Sequence, residues 1–218
     1  MPARRLAGHP REPMQRFHLH PDNPQPRLLG KAAEAIARGA VVACPTDCSY
    51  VLLCEPTDKA AVERIRTLRG LDGNHPLTLL CRDLSQVSTY ATLGTSEHRL
   101  LRASTPGPYT FVLPATREVP KRLQDRRRAV GIRICDHAVP QGLLALREAP
   151  LLSSTLQLPG EDFPLIDPDD IEEPLGKRIE LLLDAGPGDY QVSTVVAFED
   201  GVPRVVRPGK GDLSRVGG

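Results

Sequence analysis

Short apolar runs alternate with amphipathic segments along most of the chain. Apolar residues recur at helical spacing over residues 28–38, and Gly39 follows as a stop signal. A second helix is predicted from its N-cap Thr57 to Arg69, before Gly70. The same patterns predict helices at 96–103 and 140–147, and strands at 40–44, 50–54, 77–81, 109–113, 130–134, 151–154, 179–183, 192–198 and 202–206.

Strands interleaved with amphipathic helices, followed by a β-rich C-terminus, predict an α/β fold with a mixed sheet. The acidic, proline-rich residues 160–174 predict a loop with one helical turn. With no internal repeat and no linker, we expect a single domain over residues 14–211. Residues 1–13 are expected to form a disordered tail, with Met14 as an alternative start, and residues 212–218 a C-terminal tail.

Length, composition, net charge and cysteine content limit the class of protein. The 218 residues, 40% hydrophobic and 25% charged, are typical of a soluble globular domain. A net charge of +1 argues against binding nucleic acid through overall charge, although a local basic patch remains compatible with it. No apolar run approaches the roughly 20 residues of a membrane-spanning helix, and the N-terminus has no secretory apolar region. Five cysteines without a C-x-x-C pair indicate reduced thiols, so we expect a cytoplasmic protein without membrane contact.

Common catalytic signatures are missing from the sequence. Neither of the two commonest phosphate-binding loops is present, and no G-x-S-x-G elbow indicates a serine hydrolase. His18 and His20 do not have the spacing of a metal site, and no metal ligand is predicted. Any chemistry must therefore depend on other polar groups.

Polar residues cluster where predicted strands end, which is where open α/β sheets bind ligands. Arg133 lies inside an otherwise apolar strand, and either a structural ion pair or anion binding accounts for it. Hydroxyl groups and arginines without a nucleophile suit an anionic ligand such as a nucleotide. The clusters are residues 46–50, Arg66 with Arg69, Thr110, Arg133, residues 153–155, Ser193 with Thr194, and residues 207–209.

Residues 117–128 form one dense basic run, which is either a solvated surface or a contact for a phosphate backbone. The candidate RNA-binding residues are Lys121, Arg122, Arg126, Arg127 and Arg128.

Five of these segments, in this order, resemble motifs of the YrdC-like family of threonylcarbamoyl-AMP synthases. P-T-D-C-S-Y-V-L-L (45–53) looks like P-T-[ED]-T-x-Y-G-L, and P-G-P-Y-T-F-V-L (106–113) looks like P-G-P-x-T. V-G-I-R-I-C-D-H-A-V-P (130–140), S-T-V-V-A-F (193–198) and V-V-R-P-G (205–209) resemble V-x-V-R-x-P-x-H-P, S-T-V-V-D and L-R-P-G. The stretches M-Q-R-F-H-L-H-P-D-N-P-Q and C-R-D-L-S-Q-V-S-T-Y are similar to the YciO branch.

This resemblance implies a fold, a reaction and partners. The fold would be a twisted, open α/β sheet around a large, positively charged cavity. L-threonine, bicarbonate and ATP, with Mg²⁺, would give threonylcarbamoyl-AMP and pyrophosphate. Threonylcarbamoyltransferase proteins would then pass the group to adenosine 37 of tRNA. Because the family also binds double-stranded RNA, the alternative is an RNA-binding or tRNA-binding protein of the same fold with weak or no synthase activity.

The resemblance also implies roles for single residues. Thr46, Tyr50 and Thr194 would line the threonine pocket, Thr110, Thr155, Ser193 and Arg207 would face the nucleotide, and Arg69 and Arg133 would be catalytic.

Four positions depart from the family pattern. Leu71 replaces the arginine of the K-x-R motif, and Arg66, one helical turn before Arg69, is the predicted substitute. The other departures are Cys48, Val51 and Gln157. They would also be compatible with adenylate chemistry on another carbamate-type substrate.

Overall fold

The computed structural model describes residues 13–216 except Asn74 and Pro76. Within this part, ten strands form one sheet and six α-helices flank it. The strands are β1 (Gln15–His18), β2 (Val42–Cys44), β3 (Val51–Cys54), β4 (Thr78–Leu80), β5 (Tyr109–Pro114), β6 (Ala129–Arg133), β7 (Leu151–Thr155), β8 (Leu181–Asp184), β9 (Thr194–Glu199) and β10 (Val202–Arg207). The helices are α1 (Pro26–Ala37), α2 (Lys59–Arg69), α3 (Leu84–Tyr90), α4 (Thr95–Ser104), α5 (Ala138–Ala145) and α6 (Pro168–Leu175).

The strand order across the sheet is β1-β8-β2-β3-β7-β4-β6-β5-β9-β10. Four neighbouring pairs are parallel, namely β1–β8, β8–β2, β4–β6 and β5–β9, and the other five are antiparallel. The predicted open, mixed α/β sheet with flanking helices is therefore confirmed.

Helices pack on both faces of the sheet. On one face, apolar side chains of α2, α3, α4 and α6 join strand residues such as Leu52 and Phe111 in the larger core. On the other face, α1 and α5 pack against β8, β2 and β3, where Ile36 and Leu143 meet Leu53. This second core reaches only the ends of β7 and β4, through Leu151 and Leu80, and the same face continues beyond it as the floor of a cavity.

Two helical predictions need correction. The N-cap of α2 is Asp58 rather than Thr57, because the Asp58 carboxylate accepts hydrogen bonds from the N–H groups of Ala60 and Ala61. The acidic segment contains a helix of eight residues, α6, rather than a single turn, and the Asp167 side chain caps it.

The structure describes more of the predicted C-terminal tail than of the predicted N-terminal tail. Apart from Pro13, the predicted N-terminal tail lies outside the described residues. In the predicted C-terminal tail, Leu213–Val216 forms a short 3₁₀ helix, and the Val216 side chain is buried in the larger core. None of the helices in the described ranges is long and apolar enough to cross a bilayer.

Candidate functional site

A cavity of about 270 Å³ lies on the sheet face beyond the second core. Its floor is a row of paired residues across four strands, Ser153, Thr78, Gly131 and Val112. A Cβ atom at Gly131 would lie 2.6 Å from the Thr78 Oγ1, so glycine allows the threonine to pack across it. Small side chains in this row leave the volume that larger ones would fill.

Six of the predicted site residues line this cavity, although their positions in the sequence are far apart. They are Arg69, Thr110, Arg133, Thr155, Ser193 and Arg207. The lining residues that the structure describes include three arginines and neither aspartate nor glutamate. Their predicted functions are not tested by this proximity, which shows only that they share one cavity.

Arg133, at the end of β6, forms a buried ion pair with Asp47. Asp47 also accepts hydrogen bonds from the Cys135 Sγ at 3.0 Å and the Asp136 N–H at 3.3 Å. Burial would raise the pKa of Asp47, but the charge of Arg133 and these hydrogen bonds together hold it below its ordinary value. The predicted structural ion pair of Arg133 is therefore present, but it does not use every N–H donor of the guanidinium group. The buried Arg133 Nε has no hydrogen-bond partner within the described part of the chain.

Arg69 and Arg207 carry the other two guanidinium groups of the cavity. The Arg69 Nε donates to the Ser154 hydroxyl at 3.3 Å, and the Arg207 Nη2 donates to the Ser193 carbonyl at 3.0 Å. Burial and then the charge of Arg207 lower the pKa of Arg69, whereas burial and then the charge of Arg133 lower that of Arg207. Since like charges lie close together in partly dehydrated surroundings, an anion bound between them would be stabilised.

Hydroxyl groups lie beside these arginines. Thr110 and Ser193 are buried, and their side-chain oxygens are 2.8 Å apart in a mutual hydrogen bond. Thr155 ends β7 on the same lining. Hydroxyls can donate to or accept from a ligand, so they complement the donor-only arginines.

The three predicted threonine-pocket residues are not among the residues that line the cavity. The Thr46 hydroxyl donates to the Ser49 carbonyl at 2.6 Å and accepts from the Cys48 N–H at 3.0 Å. Tyr50 is fully buried and donates to the Gly186 carbonyl at 2.8 Å.

The third of these residues, Thr194, is also fully buried. Its hydroxyl donates to the Gly211 carbonyl at 2.9 Å and accepts from the Gly209 N–H at 3.0 Å. In this structure the three hydroxyls hold the loops around the cavity together, and their contact with threonine stays a prediction.

The loop that contains Asp47 is tied to the C-terminal part of the chain. The Lys210 ammonium group donates to the Asp47 carbonyl at 2.8 Å and pairs with Asp189 at 2.9 Å. The Asp189 N–H donates to the Cys48 carbonyl at 3.1 Å, and burial raises the pKa of the Cys48 thiol to about 11. Cys48 is thus a protonated, buried thiol at neutral pH, as expected of a structural cysteine.

Arg66 does not replace the missing family arginine. Its guanidinium donates to the carbonyls of Asp72, His75 and Arg122, at 2.7, 3.2 and 2.9 Å, so it holds loops in place instead of facing the cavity. The prediction for Arg66 was wrong because sequence spacing gives the helix face but not the tertiary partners of a long side chain.

His75, which the sequence reasoning did not select, lines the cavity in the loop that Arg66 holds. His75 is exposed on one side, but partial dehydration by the surrounding atoms and then the positive charge of Arg69 lower its pKa below 6.5, so the neutral imidazole predominates at pH 7. In the sequence it lies four residues after Leu71, the position at which the family pattern loses its second cation.

The basic run divides into anchored and exposed residues. Arg122 donates through its Nη2 to the Pro56 carbonyl at 2.7 Å, which makes it part of the scaffold. Lys121, Arg126, Arg127 and Arg128 are exposed. Because Arg128 immediately precedes β6 and Arg133 ends it, these side chains start from the other end of that strand, and their RNA contact remains a prediction.

Within the described ranges, no group of three or more histidine, cysteine, aspartate or glutamate side chains could hold a metal ion. Mg²⁺ does not require such a cluster, because it commonly binds through one or two carboxylates together with substrate phosphates.

The fold and the cavity define an open-sheet α/β protein with a cavity lined by three arginines, and comparisons with known proteins identify the family. The family model for Sua5, YciO and YrdC proteins, described as telomere recombination, matches residues 34–209. The uncharacterized protein YciO of Escherichia coli (strain K12) is 43% identical over 200 residues, which are 91% of this chain and 97% of YciO. Its crystal structure has a TM-score of 0.90 at 42% identity, over 93% of this chain and 99% of that one.

Two further relatives have a named activity or a bound ligand. A threonylcarbamoyl-AMP synthase of Vibrio vulnificus (strain YJ016) is 31% identical over 158 residues, 71% of this chain and 84% of the synthase. The crystal structure of P. abyssi Sua5 complexed with L-threonine has a TM-score of 0.82 at 27% identity, over 90% of this chain and 58% of that one. The chain belongs to the Sua5/YciO/YrdC family, and the resemblance read from its motifs is confirmed.

Proposed function

We propose that this protein is a nucleotidyltransferase of the threonylcarbamoyl-AMP synthase type. The observation that carries the proposal is the cavity in which Arg69, Arg133 and Arg207 meet without a lining carboxylate among the described residues. Such a site favours a polyanion, and a triphosphate is the polyanion that the family's chemistry uses.

Catalysis in this proposal depends on positioning and charge. Arg69 and Arg207, whose mutual repulsion an anion relieves, would bind the phosphate groups of ATP. The free Nε of Arg133 would donate to the same ligand. An oxygen of the N-carboxylated substrate attacks the α-phosphorus, the bond to the β-phosphate oxygen breaks, and pyrophosphate carries away the electron pair. Mg²⁺ would be held mainly by the phosphates of ATP, where it would neutralise part of their charge.

L-threonine is the proposed amino-acid substrate. Support comes from the names of the relatives, one a threonylcarbamoyl-AMP synthase and the other crystallised with L-threonine. For Thr46, Tyr50 and Thr194 to contact threonine, their hydroxyls would exchange the internal hydrogen bonds seen here for bonds to the substrate. The product would serve threonylcarbamoylation of adenosine 37 in tRNA.

The test is to incubate the protein with L-threonine, bicarbonate, ATP and Mg²⁺ and to measure threonylcarbamoyl-AMP and pyrophosphate together. Both products should form and depend on threonine and bicarbonate. Arg207→Ala should lower kcat/KM by about tenfold to a hundredfold, the effect of losing one charge-assisted hydrogen bond of about 1.5–3 kcal/mol. Arg204→Ala is the matched control, since Arg204 lies on the same strand but pairs with Glu199 at 2.6 Å.

Equal activity of the wild type and Arg207→Ala would exclude the proposed site. If neither product forms while RNA binds, the protein would be the RNA-binding alternative, with its contact at the exposed Arg126, Arg127 and Arg128.

A further inference from the structure

Two aromatic side chains stand exposed on neighbouring loops. Phe163 is 66% exposed and Tyr190 is 62% exposed, in a chain with only four phenylalanines, four tyrosines and no tryptophan. Their ring centroids are 6.1 Å apart and the ring planes meet at 76°. Neither side chain belongs to the two hydrophobic cores, so their packing against each other does not serve the interior.

The loops that carry these rings are held by hydrogen bonds. The Gly188 N–H donates to the Ile166 carbonyl at 2.9 Å, which joins the Tyr190 loop to the end of the Phe163 loop. The Gln157 side chain donates to the Glu161 carbonyl at 2.8 Å, which folds the start of the Phe163 loop back on itself. The rings are therefore presented from a fixed backbone, which lowers the entropy lost when a ligand binds them.

Both loops begin or end at the cavity. Tyr190 is three residues before Ser193, a lining residue, and three residues span at most about 11 Å. On the other loop, the Gln157 carbonyl accepts a hydrogen bond from Arg69. The Tyr190 backbone thus lies within about 11 Å of a cavity-lining residue, and Phe163 packs against Tyr190, although neither ring lines the cavity itself.

A pair of rings at a steep angle forms a corner. A flat heteroaromatic group can stack on the face of one ring while its edge meets the other, and both contacts are favourable geometries for aromatic groups. Anion-binding arginines and an aromatic corner close to each other suit one ligand that has both a phosphate and a base.

We propose that Phe163 and Tyr190 form a platform for the nucleobase of the nucleotide whose phosphates occupy the Arg69 and Arg207 site. This inference rests on the proposed function and adds to it the residues that contact the base. Stacking on the two rings would be tolerant of base identity, because every nucleobase has a π-face. The platform therefore supplies affinity for a nucleotide without choosing adenine over other bases.

The test compares a ligand with a base and the same ligand without one. Isothermal titration calorimetry would measure binding of AMP and of ribose 5-phosphate to the full-length wild type and to Phe163→Leu/Tyr190→Leu. The double variant should bind AMP about tenfold more weakly and ribose 5-phosphate as the wild type does. Tyr190→Phe, which keeps the ring, should bind AMP normally. Leu146→Ala removes another exposed apolar side chain, 55% exposed, and should change neither affinity.

The outcomes separate this inference from the proposed function. An AMP affinity that is unchanged in the double variant but weakened by Arg207→Ala would overturn the platform and leave the nucleotide site standing. AMP and ribose 5-phosphate bound equally by the wild type would also overturn the platform. An AMP affinity that is insensitive to Arg207→Ala, or no AMP binding at all, would overturn the nucleotide site and the platform with it. Because both residues are exposed, melting curves are expected to show the double variant folded.

Discussion

The two halves of one sheet face differ in what covers them. Over β8, β2 and β3, large apolar side chains meet α1 and α5 and exclude water, whereas over β4, β6 and β5 small side chains form the floor of a cavity. The boundary falls between two directly paired residues, Leu53 on β3 and Ser153 on β7. The difference teaches that side-chain volume in the strands decides where a helix can pack and where a ligand site can form.

The Asp47–Arg133 ion pair joins these halves, since Asp47 follows β2 and Arg133 ends β6. Asp47→Ala should lower the free energy of unfolding by about 3–5 kcal/mol, because Arg133, 5% exposed, would keep a buried charge without a carboxylate. Urea denaturation would measure this loss. Asp189→Ala is the control: its pair with Lys210 is partly exposed and should contribute no more than about 1 kcal/mol. Similar small losses in both variants would mean that water, not Asp47, satisfies Arg133.

The boundary itself can be tested with the paired residues. Leu53→Ala should cost about 2–5 kcal/mol of unfolding free energy, because it leaves a hole in a fully buried core. Ser153→Ala, directly opposite on the neighbouring strand, should change it by less than about 1 kcal/mol, since the cavity already adjoins the hydroxyl. Thermal and urea unfolding of both variants provide the comparison. A large loss for Ser153→Ala would show that the floor is packed rather than open.

The sequence predicted much of the fold because buried strands have short apolar runs and long helices have a periodic face. It did not predict α3, whose seven residues are short and largely polar. That helix depends on the Asp83 carboxylate, which caps it, and on Gln86, which donates to the Glu148 carbonyl at 2.7 Å. Contacts across 62 positions of the chain are not visible in a local pattern.

The candidate site was predictable to a similar degree. The motifs predicted six residues that share one cavity, because five of them lie on or next to strands of the same sheet and Arg69 ends α2. The direction of a side chain was not predictable: Arg66 binds carbonyl groups, and Tyr50 is fully buried. His75 could not be selected either, because a histidine in a turn has no periodicity, and only the fold places it on the cavity.

The smallest predicted effect concerns His75, a loop residue that lines the cavity. Its pKa is lowered from 6.5 by partial dehydration and by Arg69, so it is neutral at pH 7 and becomes protonated only as the pH falls through that lowered value. Without a ligand, stability is lost over the same fall, because the unfolded histidine binds its proton at higher pH. A polyanion bound in the proposed site would reverse this preference and favour the imidazolium.

Pyrophosphate should therefore bind the wild type more tightly than His75→Ala at pH 5.5, by about fivefold, the effect of roughly 1 kcal/mol between charges in a solvated site. At pH 8 the two affinities should be equal, because the imidazole is then neutral. Calorimetric titrations would measure both affinities at each pH. Because the two proteins are compared at the same pH, the ionisation of pyrophosphate affects both equally. His98→Ala, at an exposed position on α4, is the control and should bind as the wild type does. Parallel pH profiles for the wild type and His75→Ala would place His75 outside the anion site and leave the three arginines as its charge.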